Sequence, residues 1–246
     1  MYKGLKIRYA QGEPVIKDIH TAHLPELFRG LPKLSPDKCK NGCNKCRTSC
    51  PAEAILLTPL RIDLGKCTFC PVCTEVCPEG AIQFTNEYHL TCSRREQLIF
   101  SDNLQPGLAD ERIRKYFGRS LKLRQVSAAG CNGCELELNA LGNVNFDLGR
   151  YGIEFVASPR HADGIVITGP VSKSMSEALS DTYEAVPAPK IVIACGACAV
   201  SGGVFQSSDE LDRSFFDKIN IDLFVPGCPP HPLTFISGLL NWLGRK

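Results

Sequence analysis

Short apolar runs separated by glycine-rich turns and helical stretches fill the chain from Leu121 onwards. Leu121 to Val126, Ile153 to Val156, Gly164 to Thr168, Lys190 to Ala194 and Asp222 to Val225 have the length and composition of strands. Glu135 to Leu141, Lys173 to Ala185 and Pro232 to Leu243 have helical spacing. Strands alternating with helices predict a mostly parallel sheet covered on both faces, hence a doubly wound α/β unit. Upstream the texture differs. Residues 1–35 scatter Gly12, Pro14, Pro25, Gly30 and Pro32 among few periodic runs and read as an extended arm lying over a neighbour. Residues 93–120 are polar and charged, with Arg94, Arg95, Arg112, Arg114, Lys115 and Arg119, and read as a partly helical linker whose basic cluster is first a solvated face, with contact to an acidic partner surface as the second reading.

Between arm and linker lies an internal repeat. When the chain is slid against itself by 27 positions, Cys43, Cys46, Cys50, Pro51, Ala54 and Ile55 land on Cys70, Cys73, Cys77, Pro78, Ala81 and Ile82. Four segments result: the arm at 1–35, the repeat at 36–92, the linker at 93–120 and the α/β unit at 121–246.

Composition then narrows the chemistry. Twenty-eight basic against 26 acidic residues leave a net charge of +2, which gives no reason for a nucleic-acid partner. Fourteen cysteines exceed what packing requires. The start of the chain lacks the apolar core of a secretory signal, so a reducing cytoplasm is expected, where grouped cysteines bind metal. No apolar run approaches the ~20 residues of a spanning helix. No G-x-G-x-x-G follows a strand and no G-x-x-x-x-G-K-[ST] occurs, so no nucleotide site is expected on this chain.

The second copy of the repeat reads Cys67-Thr-Phe-Cys70-Pro-Val-Cys73-Thr-Glu-Val-Cys77-Pro78, the C-x₂-C-x₂-C-x₃-C-P run of bacterial two-cluster ferredoxins. Three closely spaced thiolates wrap one cubane, and the fourth cysteine closes the other. The resemblance, which covers about a quarter of the chain, implies one [4Fe–4S] cluster on Cys39, Cys43, Cys46 and Cys77 and another on Cys67, Cys70, Cys73 and Cys50. The first copy departs from the pattern, since Cys39-Lys-Asn-Gly-Cys43 has one residue more than the usual spacing; Gly42 is expected to absorb the detour. The rival is structural zinc, a non-redox scaffold, because C-x₂-C pairs are also its ligand spacing. Zinc sites pair two separated knuckles and have no need of a repeated triplet with a remote Cys-Pro.

Five further cysteines follow predicted strands: Cys131 and Cys134, Cys195 and Cys198, and Cys228. The carboxyl ends of parallel strands open on one edge, so these cysteines are expected to converge there. Four suffice for a cubane, leaving one spare. Cys131-Asn-Gly-Cys134-Glu135, Gly196-Ala-Cys198-Ala-Val-Ser-Gly202-Gly203 and Pro226-Gly227-Cys228-Pro229-Pro230 resemble the cluster motifs of the small subunits of [NiFe] hydrogenases and the homologous 20 kDa subunit of respiratory complex I. In that family the third ligand is the cysteine of the Gly-x-Cys triplet. The resemblance thus implies a third [4Fe–4S] cluster on Cys131, Cys134, Cys198 and Cys228, with Cys195, like Cys92, left to packing.

The likeness extends from Arg119 to the C terminus, touching Ser158-Pro-Arg-His-Ala-Asp163 and Thr168-Gly-Pro170, which recur in the membrane-bound, group 4 hydrogenase branch. The separated Cys131 and Cys134 favour the hydrogenase side, because complex I subunits have adjacent cysteines there. What it implies is an α/β protein with a C-terminal doubly wound, flavodoxin-like sheet preceded by a small α+β two-cluster ferredoxin-like domain. Its function would be an electron relay through three [4Fe–4S] clusters to or from a hydrogenase large subunit, or a complex I 49 kDa-like subunit lacking nickel and iron. Further electron-input subunits and integral membrane subunits would complete the complex, with this chain peripheral on the cytoplasmic face. Glu135 has two readings, a helix-start acid favoured by the dipole and a proton relay beside the cluster. Arg160, His161 and Asp163 are read as structural. No catalytic group is expected on this chain.

Overall fold

A computed structural model of the chain describes residues 2–12 and 14–245. The chain opens with helix α1 (Tyr2–Gln11), none of whose residues is buried. The expectation of an extended arm is thereby corrected for its first third; Lys3, Lys6 and Arg8 interrupt the apolar positions, leaving no one-sided apolar stripe by which periodicity reveals a helix. From residue 12 to β1 (Pro32–Leu34) the arm has no helix or strand among the described residues, and it lies on this chain's own repeat segment and C-terminal part. The Ile16 amide donates to the Asn145 carbonyl at 2.9 Å, the Tyr88 hydroxyl to the Ile19 carbonyl, and Ile19 itself is buried.

The repeat is a repeat in space. β1 (Pro32–Leu34) is followed by α2 (Lys45–Thr48) and β2 (Ile55–Leu56), then by β3 (Arg61–Asp63), α3 (Val72–Glu75) and β4 (Ile82–Phe84). Lys45 to Val72 and Ile55 to Ile82 are both 27 positions, the period found by sliding the chain. The strands intertwine the copies: β1 pairs antiparallel with β4, and β2 pairs antiparallel with β3. β5 (Ile99–Phe100) adds a third strand beside β3, so the front of the expected linker belongs to the ferredoxin-like unit. Its remainder contains α4 (Glu111–Tyr116), capped by the Asp110 carboxylate accepting from the Arg112 amide at 2.8 Å.

The C-terminal unit comprises β6 (Leu121–Ser127), α5 (Gly133–Ala140), β7 (Ile153–Phe155), β8 (Gly164–Thr168), α6 (Lys173–Ala185), β9 (Ile191–Cys195), α7 (Ala197–Ser201), α8 (Ser214–Lys218), β10 (Leu223–Val225) and α9 (Pro232–Trp242). Its five strands form one parallel sheet in the order β10-β9-β8-β6-β7, the flavodoxin-like order expected of a doubly wound unit. Alternation decides which core each side chain enters. Val166, Ile191 and Ile193 join the core built on α9, while Ile165, Ile167, Val192 and Ala194 face the other way. That second core runs on without a break into Ile62, Leu64, Leu98 and Phe100 of the ferredoxin-like unit. The two units are therefore welded by shared apolar burial, worth about 1.5–3 kcal/mol for each fully buried aliphatic side chain. Cys92 sits in the weld, fully buried, and its backbone exchanges hydrogen bonds with Phe224.

Candidate metal centres

The twelve cysteines assigned from sequence fall into three groups of four. Cys46 has Cys39, Cys43 and Cys77 as its neighbouring thiols, and these four line a single cavity. Cys67 has Cys70, Cys73 and Cys50 within electrostatic reach. Each copy thus receives its fourth thiol from the other, as the crossing pattern requires. The cause is local: α2 and α3 each carry the third cysteine of a triplet on one turn, and the chain then leaves through Cys50-Pro51 or Cys77-Pro78 toward the opposite copy. The Ala54 amide donates to the Cys50 sulfur and the Ala81 amide to the Cys77 sulfur, both at 3.3 Å. Gly42 adopts φ +79°, a left-handed conformation that lets the longer Cys39–Cys43 loop close.

Cys131, Cys134, Cys198 and Cys228 form the third group at the carboxyl edge of the sheet. Cys131 precedes α5 and Cys134 lies in its first turn, Cys198 lies in α7 directly after β9, and Cys228 follows β10. A side chain at Gly196 would meet the Cys134 sulfur at 2.5 Å, so the glycine keeps the space into which that thiol projects. Cys195 ends β9, fully buried in the sheet core, outside the set. Asp163 accepts from the Lys122 amide at 2.7 Å, a structural bond between strands.

Burial sets the electrostatics of these thiols. It pushes Cys67 and Cys134 up to about 12, and Cys73 and Cys198 up to about 11. Left to themselves they stay protonated at neutral pH, and only a bound cation makes them thiolates. Among the described residues no three His, Cys, Asp or Glu side chains converge on a single ion. A cubane gives each thiolate its own iron and lets the sulfurs stand further apart, so sets of four neighbouring thiols, the first of them around a cavity, fit the group.

The groups are not equally spaced from one another. Cys73 has Cys46 of the first group as a neighbour, and Cys228 has Cys70 of the second. The order is therefore first, second, third. Thr68 and Phe69 line one cleft together with Cys228 and Pro229, and Arg29 of the arm closes it by donating to the Phe69 carbonyl at 2.6 Å. At the far end, Cys131 and Cys228 are exposed, and exposed Phe205 shares a cleft with Cys131. At the near end the first cavity is rimmed by Lys38, Lys40 and Lys45.

Glu135 is buried, its Oε1 accepting from Ser127 Oγ at 2.6 Å and Thr168 Oγ1 at 2.7 Å. Sequence reasoning missed Arg213, which donates to the Cys198 carbonyl at 3.1 Å; it stands in a polar stretch without motif or period, so no signal marked it.

Parts of the chain match known proteins. Residues 131–242 match the family described as NADH ubiquinone oxidoreductase, 20 Kd subunit, and residues 60–83 match a 4Fe-4S binding domain. A probable membrane-bound hydrogenase subunit of Pyrococcus furiosus is 42% identical over 126 residues, 51% of this chain and 75% of that protein. An NADH-quinone oxidoreductase subunit of Citrifermentans bemidjiense is 45% identical over 44% of this chain and 63% of its own length. Formate hydrogenlyase subunit 7 of Escherichia coli is 38% identical, covering 53% of this chain and 51% of that protein.

Proposed function

This chain belongs to the family of the NADH ubiquinone oxidoreductase 20 kDa subunit, and from that premise we propose that it relays electrons through three [4Fe–4S] clusters, from an input partner at the first repeat copy to a large subunit over the Cys131 and Cys228 edge. It is an electron-transfer subunit of a hydrogenase or complex-I-like oxidoreductase, and it carries [4Fe–4S] clusters. The observation that carries the finer reading is the neighbourhood of Cys70 and Cys228, which joins the ferredoxin-like groups to the C-terminal one.

When bound, the clusters supply one-electron chemistry over a wide range of potentials. Around them the chain holds and tunes. The amides of Ala54, Phe69 and Ala81 donate to ligand sulfurs, which favours the more negative, reduced state. Leu136 and Phe205 expose apolar surface near the edge where Cys131 is open, a rim suited to a permanent partner. Glu135 is our candidate for a proton relay, since Ser127, bonded to it, opens on a cleft lined by Arg124, Asn139 and Thr182.

In the leading reading the large subunit resembles those of [NiFe] hydrogenases, supported by the separated Cys131 and Cys134 and by the 42% identity to the Pyrococcus furiosus hydrogenase subunit. The second reading, a quinone reductase module without nickel, is favoured by the 45% identity to the NADH-quinone oxidoreductase subunit of Citrifermentans bemidjiense. Among the described residues no helix is long and apolar enough to cross a membrane. The 4Fe-4S match at 60–83 argues against the zinc scaffold. The test is iron, acid-labile sulfide, nickel and zinc per copy of this chain in the intact complex purified anaerobically. About a dozen irons for this chain, with nickel in the partner, supports the hydrogenase relay. The same iron without nickel selects the quinone reductase reading, and zinc in place of iron overturns both.

A further inference from the structure

Arg213 immediately precedes α8, and its guanidinium reaches back beneath the Cys198 turn. Nη1 donates to the carbonyls of Pro170 and Cys198, both at 3.1 Å, and Nη2 donates to the carbonyl of Ala199 at 2.8 Å. The group lies over the Phe216 ring, 4.4 Å from its centroid. All three acceptors are neutral. Among the described residues no carboxylate stands within ion-pair distance of it. Neighbouring Asp212 has its carboxylate committed to Ser176 Oγ and the Ser214 amide. The other cation close by, Arg95, is neutralised by Asp63 at 2.7 Å. Burial lowers Arg213 to about 10, which leaves it charged at neutral pH.

Asp217 acts on Arg213 only from beyond ion-pair distance. A half-buried charge with no counter-ion in contact is expensive, and a neutral donor would satisfy the same carbonyls at lower cost. The missing counter-charge is supplied once the four thiols of the third group hold their cluster. We propose that Arg213 is a positioning residue for that cluster: its fork fixes the Cys198 turn against Pro170, and its charge, in contact with no carboxylate, raises the potential at which the cluster accepts an electron. The inference rests on the reading of Cys131, Cys134, Cys198 and Cys228 as a cluster site. Reduction adds one negative charge and takes up no proton in this account, and a cation beside a ligand in a poorly solvated place stabilises that added charge. Arg213 thereby makes the site next to the large subunit a better electron acceptor than its four thiolates alone would make it.

The test is a redox titration of the intact, anaerobically purified complex, with each cluster followed by electron paramagnetic resonance in wild type, Arg213→Lys, Arg213→Gln and Phe216→Glu. Arg213→Gln is expected to shift the midpoint of the C-terminal cluster to lower potential and leave the two ferredoxin-like midpoints where they are. Arg213→Lys, which keeps the charge and loses the fork, is expected to stay closer to wild type. Phe216→Glu keeps Arg213 and pairs its charge, so it is expected to lower the same midpoint even where Arg213→Gln sheds iron. An unmoved midpoint in Phe216→Glu with the cluster present overturns the proposal, as does an Arg213→Lys shift equal to that of Arg213→Gln. Failure of the underlying reading looks different: wild type itself would show about eight irons on this chain and no third signal.

Discussion

The two copies of the ferredoxin-like repeat hold the same ligand frame and differ in nearly everything around it. Cys46 and Cys73 occupy equivalent places and are equally buried, at 7% and 6% exposure. Their neighbours in sequence diverge: Lys45, Arg47 and Ser49 of the first copy stand where the second has Val72, Thr74 and Val76. The first three are exposed and the second three are partly covered. Cys67 is buried where its counterpart Cys39 is half-buried, and Cys70 of the second copy has a neighbour thiol, Cys228, in the C-terminal unit. One frame thus serves two positions in a line, an outer one presenting charge to whatever arrives and an inner one embedded in the core shared with the sheet. The ligands specify the cofactor, and the residues between them specify its place.

The sharpest way to break that contrast is to remove one ligand from each copy. Cys39→Ser and Cys67→Ser are both expected to cut turnover of the intact complex by more than about 100-fold, the upper end of what loss of a mere supporting contact does to a metal site. They should differ in iron. Cys39→Ser is expected to keep the inner and C-terminal clusters, whereas Cys67→Ser, which puts a hydroxyl into the apolar weld, is expected to lose iron from both sides of it. Equal iron loss in the two variants, measured by iron analysis and electron paramagnetic resonance, would show that the copies are equivalent. Next in size, Leu64→Ala at a fully buried position of the weld is expected to cost about 2–5 kcal/mol. Thermal unfolding should then show both units melting together at a lower temperature. Two separate transitions would mean that the units do not share a core.

How far this contrast could be read without coordinates follows from the same residues. The strands of the C-terminal unit were legible to within one or two positions, because β8 and β9 are buried on both faces and show as unbroken apolar runs. That the cysteines gather in groups was legible from the repeat and the strand ends, and the choice of Cys198 over Cys195 came from the family resemblance. The helix over residues 2–11 was not, for want of an apolar stripe, and neither was β5, whose two residues are too short for a period. Short α7 and α8 escaped for the same reason. The order of the three groups and the role of Arg213 are properties of tertiary contact. Nothing in a local pattern announces that Cys70 will come within electrostatic reach of Cys228 from the other end of the chain.

The charged rim of the outer copy offers a gentler test. Lys38, Lys40 and Lys45 line the outer cavity and Arg47 lines the adjoining cleft; of the four, only Lys40 has an ion-pair partner among the described residues, Glu79. If the outer copy receives electrons from an acidic carrier protein, the double variant Lys45→Glu/Arg47→Glu is expected to slow reduction by a small acidic ferredoxin about tenfold at low salt, because charge complementarity acts on encounter. The difference should fade as ionic strength rises past the screening range. Dithionite, which needs no docking, should reduce both forms alike in stopped flow. The inner positions give the control: Val72 and Val76 are not expected to carry any salt dependence.

The smallest effect is expected where the copies differ by a single residue. The extra position in Cys39-Lys-Asn-Gly-Cys43 is accommodated by Gly42 at φ +79°, and a side chain there would meet nothing within 4 Å. Gly42→Ala therefore introduces no clash, only the left-handed backbone penalty of about 1 kcal/mol for an L-residue. Gly42→Asn should cost less, because asparagine tolerates that conformation better. The strain falls on the Cys39–Cys43 loop alone, so a chelator should strip iron from the outer cluster roughly fivefold more readily in Gly42→Ala, the equivalent of that 1 kcal/mol. The other clusters should stay as they are. An equal loss from the inner cluster would mean that the two copies are mechanically coupled through Cys50 and Cys77 more tightly than their different surroundings imply.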